Sequence, residues 1–310
     1  MKLHLTFSVL LNVICFSILT SCAPALTPTV LPTDTPTLTA TTLPSPTETP
    51  TSMFTPTITS TATPDTRPLP RNWSSWPIIP MVSARAVEIY RLGQQMGVTP
   101  NTFSVVGDCQ SEPAVFMGIY GTDSNPIGEN YPEYLETIAL FYDSFNHNSV
   151  AVVNGLSAPS ALDPFWADSA RCNATESPVA CELRLYKPMV VFINLGTNWR
   201  ADASADAYVA YLRQIVDQII ASGAVPILTN KADNVEGDHS INLVTAQVAY
   251  DYDIPLMNFW LRSDSMPNHG LDAAHTPPNV YLTPAGWDAR NFAALRTLDS
   301  VWRALTEKQR

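Results

Sequence analysis

The chain has 310 residues, 45% of them hydrophobic, with 28 acidic against 17 basic side chains and a formal charge of −11. That balance excludes a nucleic-acid backbone as partner, because no basic cluster is present to meet one. The composition also changes along the chain, so a single folded unit over the whole length is excluded.

The first 21 residues open on a basic Lys2, continue through an apolar run from Phe7 to Leu19 and end in "LTSC", residues 19–22. This is the pattern of an export signal, and the run is too short for a comfortable membrane span. It resembles a bacterial lipoprotein signal. That resemblance implies cleavage before Cys22 and lipidation of Cys22, which would anchor an exported chain to a membrane surface. The alternative is an ordinary signal peptide in which Cys22 is incidental. Residues 22–70 are mostly Thr, Pro and Ser with few charges. Such a segment buries too little apolar surface to offset its ordering entropy, so it is expected to be a disordered, partly polyproline tether. Residues 71–310 are long enough for one domain with a large core.

Helical spacing is read over 83–97, with Gly97 as its stop. A strand is expected at 103–106, an amphipathic helix at 131–145 and a second strand at 149–155. A helical stretch broken by Pro164 follows at 159–170. Then come a third strand at 188–196, a helix at 204–223, a fourth strand at 224–229, a helix at 240–253, a fifth strand at 255–260 and a closing helix at 283–305. Apolar strands alternating with helices mean a five-stranded parallel sheet covered on both faces, a three-layer α/β/α sandwich. In such sheets chemistry gathers beyond the carboxyl ends of the strands.

Those ends are informative. Strand one runs into Gly107-Asp108-Cys109, strand two into Asn154-Gly155 and strand three into Gly196-Thr197-Asn198. After strand five comes "HGLDAAH", with Asp272 three residues before His275. A nucleophile, backbone and amide donors, an acid and a base are the parts acyl transfer requires. Their order resembles the SGNH hydrolases, the GDSL esterase and lipase family, over about residues 103–302. The resemblance implies a flavodoxin-like fold and ester hydrolysis without cofactor. Cys109 stands at the family's nucleophilic Ser, His275 is the base and Asp272 its orienter. The oxyanion donors are the backbone N–H groups of Cys109 and Gly155 and the side chain of Asn198. "LTPAGW", residues 282–287, also looks like the stretch that often follows that His. Two departures stand out: Cys replaces Ser, and Trp199 replaces the Asp that ends the family's Gly-x-Asn-Asp.

Alternatives stay open at several residues. Ser111 is a second candidate nucleophile, and His269 competes with His275 as base. Ser157 is expected to cap a helix, although "GLSAP" nearly matches another hydrolase elbow. Cys172 and Cys181 flank the polar "CNATESPVAC" and are expected to pair, leaving Cys109 odd; the alternative pairs Cys109 with one of them. No spacing suggests a metal site. The two Trp of "NWSSWP", residues 72–77, pack on the core or form a sugar platform. The reading is therefore an exported, lipid-anchored, monomeric ester hydrolase acting on a small ester or an acylated carbohydrate. Two others compete: a glycan-binding module with an impaired nucleophile, and a redox-sensitive surface thiol.

Overall fold

The computed structural model describes residues 65–200, 202–277 and 279–307. The expected signal, Cys22 and the tether up to residue 64 lie outside the described residues. Residues 65–70, assigned to the tether by composition, lie on the folded domain. Arg67 donates to the Tyr250 carbonyl at 2.8 Å and to Asp253 Oδ1 at 2.9 Å, and its guanidinium stands 4.1 Å over the Tyr250 ring.

Four strands form one parallel sheet in the order β1 (Thr99–Gly107), β2 (Pro188–Asn194), β3 (Val225–Thr229) and β4 (Leu256–Met257). Every residue of β2 but the last is buried. Successive residues of a strand face opposite sides, so both faces of this sheet are covered. Helices α4 (Pro178–Tyr186), α5 (Ala205–Ala221) and α6 (Ser240–Tyr252) pack in succession. Helices α1 (Ala84–Met96), α2 (Leu135–Leu140) and α7 (Phe259–Ser263) pack on α8 (Pro284–Leu305). Where α1 meets the start of β3 the backbones nearly touch: a Cβ on Gly93 would fall 2.0 Å from the Gly223 carbonyl oxygen.

The sheet has four strands, not the expected five. The segment at 149–155 makes only an isolated parallel bridge from Val152 to Gly107. Side chains take the places that a strand's ladder would fill. Ser149 Oγ donates to the Val105 carbonyl at 2.7 Å, and the Val150 N–H donates to the buried Glu182 carboxylate at 2.9 Å. Glu182 also accepts from Ser104 Oγ at 2.6 Å and pairs with His147 at 2.7 Å.

The expected helix at 131–145 is also broken. It runs as a 3-10 turn, then α2, then the short α3 (Tyr142–Phe145), with the break at the buried Phe141. Phe141 and Phe145 both pack on Phe103 across that break. The stretch at 159–170 forms two 3-10 turns rather than a helix. Ser157 caps neither; its hydroxyl meets that of Ser160 at 2.8 Å. The polar "CNATESPVAC" conceals the start of α4, which Ser177 caps and Pro178 opens. Cys172 and Cys181 are bonded, with Cα atoms 5.4 Å apart. Trp73 is buried, and Trp76 Nε1 donates to the Leu69 carbonyl at 3.2 Å, so both entrance tryptophans are packed.

Candidate active site

β1 delivers Gly107-Asp108-Cys109 to the carboxyl edge of the sheet. A Cβ at Gly107 would sit 2.2 Å from Ser111 Oγ, so only glycine lets the turn fold back over Ser111. Ser111 is buried and accepts from Asn194 Nδ2 at 3.3 Å; it supports the turn from beneath. Asp108 caps the turn by accepting from the Gln110 N–H at 3.0 Å. Burial pushes its carboxyl up, against the Gln110 N–H and the charge of Arg290. Cys109 is the free thiol among the described residues and is half-buried. Burial, then the charge of Asp108, push that thiol up. Among the described residues the partner of Sγ is the Tyr281 hydroxyl, 4.0 Å away.

Gln110 binds this turn to the segment that precedes α8. Its Nε2 donates to the Val280 carbonyl at 2.9 Å, and its Oε1 accepts from the Leu282 N–H at 3.0 Å. The amide thus pairs with backbone as a neighbouring strand would. The same segment pairs on with the acid's loop, where the Asp272 N–H donates to the Tyr281 carbonyl at 2.8 Å. Arg290 of α8 lies behind, buried. It donates to the Gln110 carbonyl, stands 5.0 Å from the Phe116 ring, and burial pushes it down to about 10.

Asp272 and His275 are joined, Oδ2 to Nδ1, at 2.8 Å. The Ala274 N–H, and next His275, hold the Asp272 carboxyl below the usual aspartate range. With Nδ1 turned to the acid, Nε2 is the nitrogen left for proton transfer. The His275 side chain is 48% exposed and its ring lies 4.8 Å from that of Tyr281. No hydrogen bond joins His275 to Cys109 among the described residues; Tyr281 touches both. Asp272, His275, Leu271, Val235 and Val280 line a cleft of about 340 Å³. His269 stacks on Trp260 at 5.7 Å and has Asp264 as its nearest carboxylate, so it does not share the acid of His275.

The donor positions divide. Gly155 is exposed with φ 76°, and neither its N–H nor that of Cys109 is bonded to a described residue. Asn198 reaches the site but has both amide hydrogens engaged, with Asp108 Oδ2 at 2.9 Å and the Leu156 carbonyl at 3.2 Å. Both partners are acceptors only, which fixes which way the amide points. A carboxylate beside this loop comes from the segment that follows β3, whereas Trp199 stands after Asn198. Asp233 Oδ2 accepts from Thr197 Oγ1 at 2.8 Å, and its other oxygen meets the buried Lys231 ammonium at 2.5 Å. Lys231 also meets Glu236 at 2.5 Å. Gln110, Tyr281, Lys231 and Asp233 were not singled out by sequence. The charged "KAD" one residue after an apolar strand was a readable signal for the last two.

No family model matches the chain, and no curated protein matches it. Solved structures are similar to it at low identity. A GDSL-like lipase from Bacteroides thetaiotaomicron is 14% identical, with 72% of this chain and 100% of that one covered and a TM-score of 0.40. A catalytic mutant of an acetylxylan esterase from Geobacillus stearothermophilus is 16% identical over 66% of this chain and 96% of that one, with a TM-score of 0.42. A psychrotrophic esterase from Pseudoalteromonas is 21% identical over 66% and 99%, with a TM-score of 0.37.

Proposed function

We propose that this chain is an exported, lipid-anchored, monomeric thiol esterase acting on acyl or acetyl esters of carbohydrates or envelope polymers. One observation supports it most: a continuous run of groups from Cys109 Sγ through Tyr281 to His275 and Asp272, spaced 4.0 Å, 4.8 Å between rings, and 2.8 Å. In the reaction His275 Nε2 takes the Sγ proton as sulfur bonds the ester carbon, and the carbonyl electron pair moves to oxygen. Collapse breaks the bond to the alcohol oxygen, which leaves with the proton from His275. Water, deprotonated by the same nitrogen, then attacks the thioester and returns acid and thiol. The exposed His275 must swing toward Sγ as substrate arrives; such bonds commonly close only in the substrate complex.

A second reading has its own observation. Burial and the Asp108 charge push the Cys109 thiol up, which suits a domain that holds an acylated glycan without cleaving it. Hydrolysis of p-nitrophenyl acetate by the exported chain separates the two. The esterase reading expects turnover that is lost, by at least about a thousandfold, in Cys109→Ala. Silence in the natural chain together with turnover in Cys109→Ser would instead support the binding domain.

A further inference from the structure

Resting on the esterase reading, we infer that the Tyr281 hydroxyl is the side-chain donor to the oxyanion, the place that Asn198 was expected to fill. Asn198 would have to abandon Asp108 or the Leu156 carbonyl to serve, and Asp108 is a buried carboxylate that already resists its charge. Giving up either bond leaves a buried acceptor unpaired, which is costly. Tyr281 has no such commitment. Its hydroxyl touches only Sγ among the described residues, and at 4.0 Å that contact is weak.

The distance suits the role. The oxygen of a tetrahedral adduct on sulfur stands about 2.6 Å from that sulfur, so a hydroxyl 4.0 Å from Sγ meets it at roughly 2.7–3.1 Å when the two directions from sulfur lie about 40–50° apart. The backbone beneath the ring is held from two sides. The Tyr281 carbonyl accepts from the Asp272 N–H, while its neighbours Val280 and Leu282 are bound by Gln110. The donor is therefore fixed to the nucleophile turn and to the acid's loop together, which is the preorganisation an oxyanion site needs. The adjoining Cys109 raises the phenol, so its proton stays in place to be donated. In the step itself the Tyr281 O–H proton is shared but not transferred; the Sγ proton goes to His275, and the ester's π pair becomes the oxyanion.

The test pairs Tyr281→Phe with the natural chain on p-nitrophenyl acetate, and with a short aliphatic trifluoromethyl ketone that forms a hemithioketal on Cys109. The expected result is a fall in kcat of about 10²–10³ with KM within about threefold, and a similar weakening of the ketone adduct. The melting temperature should be unchanged, since the hydroxyl bonds no other group. Hydrolysis by Tyr281→Phe within threefold of the natural rate overturns the inference. So does an unchanged plateau rate with a displaced pH profile, which would give the hydroxyl to proton transfer instead. If the natural chain forms the adduct but hydrolyses nothing, the esterase reading fails alone, and the adduct's weakening in the variant still decides the role of Tyr281. If it does neither, both fall.

Discussion

Cys109 is the proposed nucleophile, and its ionisation follows from its surroundings. Burial and the Asp108 carboxylate both disfavour the thiolate, while the Tyr281 hydroxyl favours it less strongly. A raised thiol is protonated at neutral pH and becomes nucleophilic only as pH climbs through its folded value. Alkylation of Cys109 by iodoacetamide, followed by peptide mapping, should therefore reach its midpoint above the ordinary cysteine value of about 8.5. The urea-unfolded chain should show the ordinary midpoint. A folded midpoint near 7 would mean that His275 already pairs with the thiol in the free protein. Asp272, His275 and Cys109 were readable as types because each follows an element's end. The roles of Gln110 and Tyr281 were not, because a side-chain amide that pairs with backbone 170 residues away leaves no periodic trace.

At the scale of elements, the network around Glu182 replaces a strand. Burial alone would push this carboxyl up, but His147, Ser104 and the Val150 N–H together hold it below the usual glutamate range. A carboxyl lowered in the folded state stabilises above its unfolded pKa, and that contribution is lost as pH falls through the folded value. The melting temperature of Glu182→Gln should thus lie below that of the natural chain at pH 7, and the gap should narrow as pH drops below about 4. A gap independent of pH would show that shape rather than charge carries the contribution. This network also explains the missing fifth strand: "SVAVV" has strand composition, yet its own Ser149 hydroxyl takes the Val105 carbonyl of β1 and the Glu182 carboxylate of α4 takes the Val150 N–H. Helices α1, α5 and α8 were legible because each opens on a capping Ser or Thr. Helix α4 was masked by the polar residues ahead of its cap.

At the scale of the molecule, the folded part begins before the composition suggests. Arg67 ties the first described residues to the end of α6, and Trp76 depends on the Leu69 carbonyl. A chain starting at residue 71 should therefore melt a few degrees below one starting at 65, because it lacks this half-exposed cation–π and ion-pair contact. Equal melting temperatures would reduce residues 65–70 to passive linker. The side chain of Gln110 has a mechanical consequence of its own. Two loops clamped by one amide cannot drift independently, so the Leu282 N–H is shielded from solvent while the turn at Cys109 is closed. Deuterium uptake at that single amide would be a clock for the opening of a thiol 173 positions earlier in the chain.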